Sequence, residues 1–226
     1  MTGRGDLFEA IEYLRREGEG ILARFARSKR GIAYADLRFE VVFNRSGAAV
    51  NGEPRDGSES ENAAYFVSVH VADRAGPVGH GQTGAEIGAL AGRQTKLVAE
   101  LRRGLGEAYD RARFSARKKA ELITQLGDAA KGLLVAPIPS REKIRDDVDA
   151  TFNRDPRSLS TDELKKISLD ASREVAALGD AIAFQVVAAM TELRREIFID
   201  TAGTVVSQAY AFSQGDCYVV AQIGDG

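Results

Sequence analysis

One cysteine, two histidines and no long apolar run limit what this 226-residue chain can be. Cys217 alone can close no internal disulfide. No apolar stretch approaches the ~20 residues a transmembrane helix needs, and the polar start Met1-Thr-Gly-Arg-Gly-Asp6 is no signal peptide. Excess charge is missing as well. With 31 basic against 33 acidic residues the net charge is −2, so no basic field points to nucleic acid or an anionic membrane. The expected address is cytoplasmic, with no membrane and no nucleic acid as partner.

The common catalytic patterns are also missing. A zinc peptidase needs two histidines one helical turn apart, with a glutamate beside them to activate water. His70 falls on a strand candidate and His80 in a glycine-rich stretch, so they share no helix. Glu86 could complete an improvised metal site, but a strand-rim histidine and a loop histidine are the ordinary reading. Cys217 lies in an alternating strand, which favours a small buried hydrophobe over a nucleophile. No serine sits in a Gly-x-Ser-x-Gly elbow, and Asp36, Asp146, Asp147 and Asp149 have no spacing that argues for a cluster. Gly76-Pro-Val-Gly-His-Gly-Gln-Thr-Gly84 has the glycines of a phosphate loop without the Walker spacing or its Lys-Ser/Thr, and reads as a flexible connector. These residues offer no catalytic, cofactor-binding or metal site.

What is present is an ordinary core-forming composition, 44% apolar and 28% charged. Asp6 is placed to cap a first helix, whose apolar stripe is Leu7, Phe8, Ile11, Leu14, Ile21, Leu22 and Phe25. Arg24, Arg27, Lys29 and Arg30 crowd its end, where cations suit the negative pole of the helix dipole; a basic patch for a partner is the functional alternative. Tyr34 to Phe43 alternates as a strand, Asn44 to Asn62 reads as a polar loop with a weak strand near Ala48 to Val50, and Ala64 to Val71 is the next strand.

Ala85 to Leu126 is helical in pattern through Ile87, Leu90, Gln94, Leu97, Leu101, Leu105, Ala108, Ala112 and Ala116, either as one helix or as two breaking near Gly104 and Gly106. Its basic run, Arg111 to Lys119 around Phe114, is read as a solvated face rather than a nucleic-acid surface. Lys131 to Arg157, with Pro137, Pro139 and Pro156, is a connector with a short helix suggested over Arg141 to Asp147. Ser160 and Glu163 form a capping box, and Leu164, Ile167, Ala171, Val175 and Leu178 line the helix that follows, ended by Gly179. From Ala181 the alternation suggests a four-strand antiparallel meander: Ala181 to Met190, Glu196 to Asp200, Thr204 to Phe212 and Cys217 to Ile223. The last of these is expected at a sheet edge or in a contact between chains.

Several segments, in this order, resemble the N-terminal half of the TldD/PmbA family, the modulators of DNA gyrase that are regarded as zinc-dependent proteases. Tyr34-Ala-Asp-Leu-Arg-Phe-Glu40 is similar to the family's first strand. Asp155-Pro156 with Ser160-Thr-Asp-Glu-Leu-Lys165 looks like the family's Asp-Pro and the helix after it. Glu196-Ile-Phe-Ile-Asp-Thr-Ala-Gly203 resembles its Asp-Thr-Glu-Gly strand end, with Ala202 in place of the acidic residue, and Cys217 to Gly226 matches the strand that follows. The order and spacing of these segments carry the resemblance, which runs from about Asp6 to Gly226.

The resemblance implies an α+β fold of antiparallel sheets with long helices packed on them, in a two-layer, sandwich-like form. It implies one TldD/PmbA-like N-terminal region over 1–226, with helix and strands over 6–84, long helix and connector over 85–157, and helix plus meander over 158–226. Family members are about twice as long, and the TldD branch carries a His-Glu-x-x-x-His zinc motif in the half this chain does not contain. The expected role is therefore non-catalytic: dimerisation, homo- or hetero-, with a TldD/PmbA-type subunit, and walling of a channel for unstructured peptide substrates. No zinc ligand and no other cofactor is expected here. The alternative is a stand-alone interaction module dimerising through its long helix.

Overall fold

The computed structural model describes residues 6–72, 76–87, 94–133 and 142–222. Among these residues the chain is α+β, with three α-helices and six strands in a mixed sheet. The strands are β1 (Ile32–Val50), β2 (Glu53–Val71), β3 (Gly79–Ile87), β4 (Arg145–Val148), β5 (Ile182–Asp200) and β6 (Val205–Ala221). The helices are α1 (Asp6–Ser28), α2 (Gln94–Leu126) and α3 (Thr161–Ala176). The strand order is β3-β2-β1-β5-β6-β4, with β3 antiparallel to β2 and β4 parallel to β6. Contacts divide the chain into two compact units. One takes Met1–Val41, Asn62–Val148 and Arg195–Gln208; the other takes Val42–Glu61, Asp149–Arg194 and Ala209–Gly226.

In the first unit, alternation on β1 and β2 buries Leu37, Phe39, Val41, Tyr65, Val67, Val69 and Val71 on one face, as the period-two pattern anticipates. Ile11, Leu14, Ile21, Leu22 and Phe25 of α1 join that core, as do Leu97, Leu101, Leu105, Ala108 and Ala112 of α2. Their steps of three and four put each set on one helix face. α2 is unbroken across Gly104 and Gly106; Gly104 makes room for the Tyr65 ring, which an added Cβ would approach to 2.6 Å.

The expected glycine connector is instead β3, and Ala85 to Ile87 end this strand rather than begin a helix. A Cβ at Gly79 would come within 2.7 Å of Ala116 Cβ, and one at Gly81 within 2.5 Å of Ala112 N. α2 therefore rests on bare β3 backbone. The glycines serve close approach rather than a turn.

The second unit opens on a hairpin. Residues 44–62, expected as a loop, are strand on both sides of Asn51-Gly52. Asn51 (φ 50°) and Gly52 (φ 78°) both take the left-handed conformation that a tight reversal of an antiparallel pair requires. Asn51 Oδ1 accepts from Gln185 N at 2.8 Å, and Gly52 N donates to Ser172 Oγ at 2.9 Å.

α3 begins with the expected capping box. Glu163 N donates to Ser160 Oγ at 3.1 Å, and Ser160 N donates to Glu163 Oε2 at 2.7 Å. The Ser160 N–H and the Arg154 guanidinium bring the Glu163 carboxyl down to about 2. The buried face of the helix is not the expected one. Leu164, Ser168 and Ser172 are buried, whereas Ile167 is 53% exposed and Leu178, beyond the helix, 77%. A Cβ at Gly47 would meet Leu164 C at 2.6 Å, so the contact is too close for large side chains, and Ser168 Oγ donates to Gly47 O at 2.9 Å.

Two other expectations are corrected. The four-strand meander is a hairpin of two long strands, β5 and β6, joined at residues 201–204. The polar stretches that suggested breaks lie within them: Thr191 and Glu192 are buried in β5, and Arg194 pairs with Glu192 at 3.1 Å. In place of the short helix suggested over 141–147, residues 142–144 are irregular and Arg145–Val148 form β4. The readings for the Asp6 cap, Leu90, Pro137, Pro139 and the chain beyond Gln222 concern residues or side chains outside those described.

Candidate functional site

Strand alternation in the first unit places polar residues on the sheet face opposite the buried one. β1 offers Tyr34, Asp36, Arg38 and Glu40; β2 offers Ser68 and His70; β3 offers His80; β5 offers Glu196 and Asp200. Register brings the two histidines together. His70 lies opposite His80, their ring centroids 4.7 Å apart and tilted by 49°. The Tyr34 ring stands edge-on to His70 at 5.6 Å, and the Tyr34 side chain hydrogen-bonds Asp36. A row of titratable groups thus crosses β3, β2 and β1.

β5 extends it. Ala35 and Thr201 exchange two hydrogen bonds, Thr201 N to Ala35 O at 2.9 Å and Ala35 N to Thr201 Oγ1 at 3.0 Å. Asp200 closes the β5–β6 turn by accepting from Thr204 N at 2.9 Å, and Gly203 turns there at φ +101°. The Asp-Thr-Ala-Gly segment therefore works here as a structural corner, and its buried Asp200 charge acts on Asp36. Burial, with a smaller contribution from Asp200, pushes the Asp36 carboxyl up to about 6 against the opposing hydrogen bond from Tyr34. Burial also lowers His70, helped by the nearby His80 and by Lys119, whose Nζ donates to Val78 O at 2.9 Å. Arg38 adds a charged clamp, with Nη2 2.7 Å from Glu196 Oε2.

This arrangement holds protons and hydrogen bonds; it does not fit a metal. The histidines meet, but Tyr34 and Ser68 Oγ, 3.1 Å from His80 Nε2, stand around them instead of a third ligand. Glu86 pairs with Ala64 near the far end of β3 from His80. Among the described residues no group of three or more His, Cys, Asp or Glu side chains could hold a metal ion. Asp146 and Asp147 lie on β4, and Asp147 pairs with Arg15 of α1. Cys217 is exposed on β6, so its expected burial is corrected: this end of β6 alternates in sequence without burying a face. Tyr34 and Asp200 were missed in the sequence as members of a site. The period-two pattern puts Tyr34 and Asp36 on one face, but nothing local shows that Asp200 approaches them.

Two further surfaces accompany the row. In the second unit, β6 beyond Gln208 has β5 on one side; β4 flanks only Val205 to Gln208, so among the described residues no strand pairs with the outer edge of 209–221. In the first unit, the end of α1, the end of β2 and the middle of α2 line a cleft of about 880 Å³. No helix among the described residues is long and apolar enough to cross a membrane.

No family model matches the chain, and no curated protein does. Solved structures do. A candidate modulator of a DNA gyrase from Thermotoga maritima shares 14% identity, with 92% of this chain and 41% of that one covered, at a TM-score of 0.56. A second, from Bacteroides thetaiotaomicron, shares 13% over 94% of this chain and 43% of its own, at 0.58. TldE from Thermococcus kodakarensis shares 12% over 95% and 40%, at 0.51. At such identities the likeness is one of fold, and this chain spans about two-fifths of the length of the structures it matches.

Proposed function

We propose that this chain is the non-catalytic N-terminal portion of a TldD/PmbA-type metallopeptidase, serving dimerisation and the binding of unstructured peptide in a substrate channel. One observation carries the reading: the likeness to TldE and the two candidate gyrase modulators takes in nearly all of this chain and less than half of each of theirs. The sequence segments that resemble the family, from Tyr34 to Glu40 and from Glu196 to Gly203, support it. The zinc chemistry belongs in this reading to a catalytic half that this chain does not contain, and no step is assigned to the residues described above. The edge of β6 at 209–221, along which no strand lies among the described residues, suits an extended peptide, because strand addition draws on backbone N–H and C=O groups and needs no special side chains.

The alternative of a module dimerising through its long helix is less well supported. Leu97, Leu101, Leu105, Ala108 and Ala112 already face the chain's own core, which leaves Phe114, Leu122 and Leu126 as the large exposed apolar residues described on α2.

The test is co-purification with a TldD-type subunit bearing His-Glu-x-x-x-His, together with zinc analysis of this chain alone. The expected result is a stable complex, no stoichiometric zinc after dialysis and no peptide cleavage by the isolated chain. Retained stoichiometric zinc, or failure to associate with such a subunit, overturns the reading.

A further inference from the structure

The cleft in the first unit joins two basic segments that lie far apart in the sequence. Its walls include Lys29 and Arg30, just past α1, and Arg113 and Arg117 of α2, while among the described residues no carboxylate lines it. Tyr109, Arg113, Ala116, Arg117 and Ala120 fall on one face of α2 at helical spacing. The two alanines leave the groove open where longer side chains would fill it.

Tyr109 organises the cations. Its hydroxyl donates to Arg30 O at 3.0 Å, and its ring is packed edge-on against Phe25 at 6.4 Å. Lys29 Nζ lies 5.3 Å and the Arg113 guanidinium 5.8 Å from that ring's centroid, so the aromatic holds one cation from each segment. Of the acids on α2, Glu100 and Glu107 pair with Arg103, and Glu121 pairs with Lys118 while also feeling the charge of Arg117. None of Lys29, Arg30, Arg113 and Arg117 has an ion pair to a carboxylate among the described residues.

We infer that this cleft binds a compact organic polyphosphate of nucleotide size. Four cations around one concavity repel each other unless an anion enters, and two arginine forks match the geometry of phosphate oxygens. A volume of about 880 Å³ exceeds what a bare phosphate needs and lies in the range of small-molecule pockets. Tyr109 is buried beneath its cations, so recognition rests on phosphate charge rather than base stacking. This site lies on the helix-covered side of the sheet and uses none of the row from His80 to Asp200.

The test is calorimetric titration of the full chain with tripolyphosphate, ATP, adenosine and a short DNA duplex, repeated on Arg113→Ala/Arg117→Ala and on Ala120→Phe. All three positions are exposed, and thermal melting checks that each variant folds. Expected are saturable, salt-sensitive 1:1 binding of tripolyphosphate and ATP, no binding of adenosine, and a loss of at least about tenfold in both variants. The proposal is overturned by no saturation with either phosphate, by unchanged affinity in the double variant, or by tighter binding of duplex DNA than of ATP.

Discussion

Gly81 of β3 lies so close to Ala112 of α2 that an added Cβ would stand 2.5 Å from the Ala112 backbone nitrogen. A methyl group there has to push the helix off the strand, since the opposing atom is backbone and has no rotamer to change. Gly81→Ala is expected to destabilise the protein by about 2–3 kcal/mol, as overpacking a tight contact does. Chemical denaturation measures it. The same substitution at Gly106, where nothing lies within 4 Å, is the control and should stabilise or leave stability unchanged.

Asp36, raised to about 6 mainly by burial, makes stability depend on pH in a definite direction. Because the folded protein favours the protonated carboxyl, its contribution is fully present below the unfolded value near 3.8 and is lost as pH rises through about 6. Asp36→Asn removes the charge without removing an acceptor for Tyr34. It should raise stability above pH 7 by on the order of 2 kcal/mol and change little at pH 4. Melting temperatures of both proteins at the two pH values decide the matter. An equal shift at both would exclude titration of this group as the cause.

His70 should behave in the opposite sense. Burial and the neighbouring cations hold its proton off, so its contribution to stability is present above the ordinary value of 6.5 and is lost as pH falls through the lower folded value. Its ring resonance, followed by NMR, should titrate below 6.5. His80→Ala removes one of the two groups that oppose its protonation and should move that midpoint upward; no movement would show that His80 takes no part.

Arg45 is 4% exposed, and its Nη2 lies 2.5 Å from Glu59 Oε2. Its Nη1 donates to the carbonyls of Arg157 (3.1 Å) and Leu159, tying the residues before α3 to β1. Arg45→Ala takes the guanidinium away from a carboxylate and two carbonyls and should cost about 3 kcal/mol in a denaturant melt. Arg45→Lys should recover only part of it, because an ammonium cannot span these partners as the guanidinium does.

Where a strand or helix buries a face of large apolar residues, its sequence announced it: Leu37, Phe39 and Val41 on β1 and the leucines of α2 stand where spacing places them, as does the Ser160–Glu163 box. Where burial is absent or the contact is backbone-close, that signal disappears. Glu53 to Asn62 of β2 is largely exposed, so nothing in its polar residues alternates, although Asn51-Gly52 is the strongest short hairpin signal available. The glycines of β3 look like a turn because their purpose, the approach of Ala112 and Ala116, lies more than thirty residues further along the chain. Of the candidate row, both histidines and Asp36 could be picked out as residues but not as neighbours, since the His70–His80 pairing follows from strand register and Asp200 joins through β5. The basic cleft was hidden for the same reason: its two halves lie some eighty residues apart and each alone looks like an ordinary solvated surface.

The hairpin turn at Asn51-Gly52 also bears on how the protein ages. An asparagine followed by glycine is the pair most exposed to spontaneous loss of its side-chain amide, through attack by the glycine nitrogen on the asparagine carbonyl carbon. Here Gly52 N donates to Ser172 Oγ, and Asn51 Oδ1 accepts from Gln185 N, so the attacking nitrogen and the side-chain amide it must reach are fastened to different parts of the same unit. The hydrogen bonds that seat α3 and β5 on the turn thus also slow its chemical decay, and loosening either one would quicken a clock that the folded protein holds back.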